Sequence, residues 1–188
     1  MSQHNSRIGT EYEAPGTAAG PDAIAHLIAN LANREVRVRD RTRQALVTIG
    51  WPAVAPLTAA LQSPEAQVRW EAAKALGEIG HPAAAPALVN ALEDQGFDIR
   101  WLAAQGLIVL GRAGLAPLLQ ALLERPGSIW LREGAHRVVC ALVRKEPGYR
   151  LALVLETLEG RDPAPKVRIA AFVALEALKD GEAKAVRV

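Results

Sequence analysis

The chain has a single cysteine, Cys140, in 188 residues. An internal disulfide is therefore excluded, and the usage suits a cytoplasmic, reducing compartment. Aromatic residues make up only 4% of the chain while half of it is apolar, a balance that fits long alanine-rich helices. No apolar run reaches the length of a membrane span, so no membrane contact is expected. No apolar segment follows Met1 to Arg7, so no secretory signal is read. Neither sign of charge dominates: the net charge is +2, which says little about partners. The sequences of familiar catalytic centres are missing too. There is no Cys-x-x-Cys, no Gly-x-Ser-x-Gly and no phosphate-loop pattern. The histidines, His4, His26, His81 and His136, are followed by Asn5, Leu27, Pro82 and Arg137, so no paired His-Glu motif occurs. No catalytic residue, metal ligand or cofactor site is expected.

What the chain has instead is a repeat. Val38-Arg39, Val68-Arg69 and Ile99-Arg100 recur at spacings of 30 and 31 residues. Gly50, Gly80 and Gly111 keep those spacings, and so do Pro56, Pro86 and Pro117. Fainter copies follow at Leu131-Arg132 and Val167-Arg168. The clearest unit runs from Val68 to Leu92. Ala72, Ala75, Leu76 and Ile79 fall on one side of a helix with Val68, and Glu71, Lys74 and Glu78 fall opposite. Gly80 follows the last apolar residue, where a left-handed end suits glycine. Pro82 marks the turn, and Pro86 fits the first turn of a second helix, whose amides lack intrahelical acceptors. One such pair cannot bury its own apolar face, so neighbours must stack.

First helices are expected near residues 36, 66, 98, 130 and 165, and second helices near 53, 83, 114 and 148. Residues 21–32 read as a second helix that opens the array as half a repeat. The domain limits are then a disordered tail at 1–20, a repeat domain at 21–180 and a C-terminal tail at 181–188. Ser63-Pro64-Glu65, Asp98 and Asp162-Pro163 supply start signals. Arg125-Pro126-Gly127-Ser128 and Lys145-Glu146-Pro147-Gly148 read as turns. The fourth pair has Val143 where the others have glycine, so its geometry is expected to deviate.

The pattern V-R-x-x-A-A-x-A-L-G-x-I-G followed by A-P-x-L-x-x-A-L resembles HEAT repeats of the short, bilin-lyase-like kind, best over 68–92 and well over 36–62 and 98–123. The resemblance implies an all-α, armadillo-like fold: a right-handed α-α superhelix of about ten helices in about five repeats. It also implies a choice of roles. The same repeat serves scaffolds, phycobilin lyase subunits that help attach a tetrapyrrole, and hydroxylases whose paired His-Glu motifs hold iron. The last are not carried over, because this chain lacks those pairs.

Several residues stand out as candidates. The ladder of Arg39, Arg69, Arg100, Arg132 and Arg168 reads as structural, each stem on apolar surface and each guanidinium on an acid or a helix-end carbonyl. An anion-binding row would need these arginines to face an open groove. Arg34, Arg37, Arg39, Arg41 and Arg43 form a basic shoulder. It either attracts phosphate or an acidic protein, or is the polar end of a terminal repeat. Trp70, Trp101, Leu102, Ile108 and Val109 outline an apolar patch on the outer, convex side, suited to a partner protein or a homodimer. On the inner side Asn30, Thr58, Asn90 and Gln120 are small and polar, which argues against a nucleic-acid groove. Cys140 reads as a small packing residue, and lone acids such as Glu71 and Glu133 read as solvated. The function expected is non-catalytic protein binding by a scaffold or adaptor. The alternatives are a phycobilin lyase-like subunit and an anion or nucleic-acid module using Arg34 to Arg43.

Overall fold

A computed structural model describes residues 20–145, 149–160 and 163–185, with no side-chain detail at Pro163 or beyond Asp180. The expected turn at 146–148, the Asp162 cap and nearly all of the expected N-terminal tail lie outside these residues. The described residues form ten α-helices and no strand. They are α1 (Pro21–Asn30), α2 (Val36–Ile49), α3 (Val54–Ala60), α4 (Ala66–Ile79), α5 (Ala85–Ala91), α6 (Phe97–Leu110), α7 (Arg112–Glu124), α8 (Ile129–Leu142), α9 (Leu151–Glu159) and α10 (Pro163–Ala185). Two 3-10 turns, Trp51–Ala53 and Pro82–Ala84, lead into α3 and α5. The fold is a right-handed α-α solenoid, as the repeat implies. Helix α10 runs to Ala185, beyond the expected domain limit at 180.

Two layers follow from the apolar stripes. The first helices α2, α4, α6 and α8 pack side by side, and α1, α3, α5 and α7 form the second layer behind them. Leu31, Leu46, Leu57, Leu76, Leu88, Leu107, Leu118 and Leu131 are fully buried between the layers. Alanine fills the remaining contacts: Ala72, Ala73, Ala75, Ala103 and Ala104 are all buried. The absence of larger side chains there lets α4 and α6 approach closely. A Cβ built on Gly77 would lie 3.2 Å from the Cα of Gly106.

The helix ends obey the glycine spacing. Gly80 closes α4 at φ 64° and ψ 25°, the left-handed conformation. Gly50 and Gly111 also have positive φ, but with ψ of −133° and −124°, a region open to glycine and closed to other residues. A Cβ on Gly80 would make only an ordinary contact, 3.6 Å from Val109. Gly80→Ala, which adds only that Cβ, therefore tests backbone strain alone. It should lower stability by about 1–3 kcal/mol, read from the midpoint of urea unfolding. An unchanged midpoint would remove the left-handed cap from the account.

The fourth pair departs from the pattern, as the missing glycine leads one to expect. Val143 stays right-handed at φ −54°, so α8 does not turn back as α4 does. Helix α9 is entered instead through Arg150, the one non-glycine residue with positive φ among those described. The consequence is a change of layer. Helix α9 packs on α8, and α10 packs mainly on α7 and α9. So α10 lies beside α7, where a regular array would place the second helix α9. Its Arg168 is exposed and does not continue the ladder as expected.

A candidate docking surface on the first-helix layer

The ladder arginines are built into the joints between pairs. Arg39 Nη1 donates to the carbonyls of Asn33 and Arg34, Arg69 Nη1 to those of Ser63 and Pro64, and Arg100 Nη1 to those of Asp94 and Gln95. Arg132 Nη1 donates to the Pro126 carbonyl at 2.7 Å. Each guanidinium thus satisfies carbonyls left without intrahelical donors at the end of the preceding repeat. The structural reading of the ladder holds for these four.

The first two rungs are also neutralised. Arg39 Nε donates to Glu71 at 3.2 Å, and Arg69 Nε and Nη2 grip Asp94 at 2.7 and 3.1 Å. The Asp94 hydrogen bond holds the Arg69 guanidinium pKa above its ordinary value. Glu71 corrects an expectation. It is not solvated: it is 2% exposed, with Arg39, Arg43 and Gln67 all donating to its carboxylate. The helical wheel places it opposite the main stripe, but that flank of α4 is covered sideways by α2.

The same packing removes Arg43 from the anion candidates. Its side chain is buried, and Glu71, Glu78 and Asp40 accept from its nitrogens at 3.2, 2.7 and 3.2 Å. Arg34, Arg37 and Arg41 remain exposed at the first end of the array. Cys140 is likewise exposed on α8 rather than packed, a second correction. In the second-helix layer Asn30 and Thr58 are half-buried, while Asn90 and Gln120 are exposed. Asn90 accepts from Arg125, and Gln120 donates to Glu124, so both are engaged locally.

The apolar patch is differently composed from the one the sequence outlines. Trp70, Leu102 and Ile108 are half-buried against the core, and Lys74 rests its ammonium 4.9 Å from the Trp70 ring centroid. Val109 is exposed, but it lies near the far end of α6, two turns from Trp101. Four large exposed residues lie at the N-terminal turns of α6 and α8, Phe97 at 62%, Trp101 at 41%, Ile129 at 62% and Trp130 at 42% exposure, while others such as Trp51, Ile169 and Phe172 lie apart from them. Phe97, Trp101 and Trp130 line one small cleft with Arg100 and Arg137. The Arg100 guanidinium stacks over Trp130 at 4.7 Å and Phe97 at 5.7 Å. Phe97, Ile129 and Trp130 escape a helical-wheel reading because each begins its helix, before any period is established. A shared position just after a turn is the signal that finds them.

One other hollow is chemically plain. An apolar cleft of about 550 Å³ between α1 and α3 is lined by Ile24, Ile28, Trp51, Pro52 and Pro56 and has no charged side chain. Among the described residues no cluster of three His, Cys, Asp or Glu side chains is placed to hold a metal. No helix there is long and apolar enough to cross a membrane.

Stacked helix pairs of 30 to 32 residues, joined by an arginine ladder, define a helical repeat solenoid. The family model for HEAT repeats matches residues 24–108 and again 54–140, which together cover more than half of the chain. The protein belongs to the HEAT repeat family. No curated protein matches it. Among solved structures, an engineered protein is 20% identical, with 87% of this chain and 86% of that chain covered and a TM-score of 0.40. The complex of CpcE and CpcF of phycocyanin lyase from Nostoc is 24% identical, covering 96% and 71%, with a TM-score of 0.49. A designed armadillo repeat protein is 18% identical, covering 86% and 88%, with a TM-score of 0.41.

Proposed function

We propose that this HEAT repeat scaffold is a non-catalytic adaptor that docks another protein on the N-terminal turns of α6 and α8. The observation that carries the reading is the contiguous exposure of Phe97, Trp101, Ile129 and Trp130 in a chain with few aromatics. Exposed tryptophan beside arginine is the composition of interface hot spots. Contiguous apolar surface rimmed by polar groups is a mark of interaction sites. The array beneath is rigid at this point, since Arg100 and Arg132 tie both helices to the preceding turns.

The test is an affinity pull-down from native lysate, comparing wild type with Trp101→Ala/Trp130→Ala. A protein captured by wild type and lost by the variant, with the thermal midpoint shifted by no more than a few degrees, is the expected result. Equal capture by both would move the contact elsewhere. Capture of a tetrapyrrole-carrying protein would favour the lyase-like role instead.

A further inference from the structure

We infer that the docking segment of the partner is acidic, with large apolar side chains set between its carboxylates; this rests on the docking role proposed above. The reason lies in how the arginine ladder changes along the array. Arg39 finds a carboxylate in the next repeat, Glu71, and Arg69 finds one in the turn that closes its own, Asp94. Glu71 stands two residues after its own rung, Arg69, and Asp94 stands six residues before the next rung, Arg100. The corresponding places for Arg100 are Gly134, two after Arg132, and Pro126, six before it. Neither carries charge. Arg100 therefore keeps its loop carbonyls but has no carboxylate among the described residues. Its guanidinium lies instead on Phe97 and Trp130, two of the exposed rings.

The same imbalance extends along the patch. The cleft between Phe97 and Trp130 continues into a hollow of about 450 Å³ lined by Ile129, Arg132, His136 and Leu158. Around the two together stand Arg100, Arg132 and Arg137, against one lining carboxylate, Glu133. The imidazole of His136 is bonded to Glu159 at 3.3 Å. Asp98, on the far side of Phe97, faces the neighbouring groove with Trp70 and Gln67. Arg137 is exposed and has no partner among the described residues. An excess of guanidinium around aromatic rings steers and selects acidic partners, while the rings supply the buried apolar contact.

The probes are two fluorescein-labelled dodecapeptides, one alternating glutamate with leucine and phenylalanine, the other with lysine in place of every glutamate. Fluorescence anisotropy at low and moderate salt reads their binding to the full chain. The acidic peptide is expected to bind and the lysine peptide not. Arg137→Glu should weaken the acidic peptide on the order of tenfold and Trp130→Ala should weaken it too. A triple Arg34→Gln/Arg37→Gln/Arg41→Gln variant, at the other end of the array, should leave it unchanged. Equal binding of the lysine peptide, no response to Arg137→Glu, or full competition by inorganic polyphosphate would each overturn the inference. The docking role is judged separately: loss of a captured protein in the tryptophan variant would stand even if the acidic peptide failed to bind.

Discussion

Glu71→Ala is expected to destabilise the fold by about 3 kcal/mol, because it strips a buried carboxylate from the charges it neutralises. Arg43 is as buried as its partner, and in the variant its Nε loses an acceptor that water does not replace. Arg39 keeps its loop carbonyls and Arg43 keeps Glu78 and Asp40. The residual pairing is why the figure sits at the lower end of the range for a broken buried pair. Thermal unfolding should shift down by about 6–12 °C at that cost for a chain of this size. Replacing both partners, as Glu71→Leu/Arg43→Met, should cost less than Glu71→Ala alone, since the charges then left behind are not buried without partners: Arg39 keeps its loop carbonyls, and Glu78 and Asp40 reach solvent. A single variant that melts with wild type, or a double variant that is the less stable of the two, would show that the network contributes little to the α2–α4 joint.

Leu76→Ala is expected to cost about 3–5 kcal/mol, the upper part of the usual span for a buried leucine. Leu76 is fully buried in α4, whose neighbours include α2, α3 and α6. Its buried neighbours along α4 are the alanines Ala72, Ala73 and Ala75, and Ala103 is buried on α6. Short side chains fixed to rigid backbones have no reach with which to fill a cavity, so relaxation is small and the cavity cost stays high. The loss also falls in the middle of a nearest-neighbour array, where it weakens the coupling of both halves. Urea unfolding followed by circular dichroism should show an earlier and broader transition. A shift worth less than about 1 kcal/mol would place Leu76 outside the core.

The register of the repeat was legible because each of its marks does one local job. Gly80 ends a helix, Pro86 begins one, and Leu76 and Leu88 lie on a stripe that a helical wheel finds. The sideways contacts between repeats were not legible. Glu71 is polar by type and opposite the main stripe, yet α2 covers it; the arginines one turn apart on α2, in another repeat, explain its burial. Cys140 shows the reverse: a residue type that usually packs lies on an open flank. The proposed docking patch was seen in part. Trp101 was found by its place beside the ladder, but Phe97, Ile129 and Trp130 stand at helix starts that the period does not reach. The layer change of α10 depends on the turn around Arg150, where no repeated mark guides a reading.

That layer change ends the regular alternation of the described helices. A regular stack is open-ended: its last pair offers the next one the same seat that it took itself. Here α10 sits in the seat beside α7, so that seat is filled by a helix that does not follow the alternation of layers. A duplicated unit would find matching joints between α2 and α6, where a Gly-ended helix meets an arginine joint, and no glycine-ended helix to join at α8.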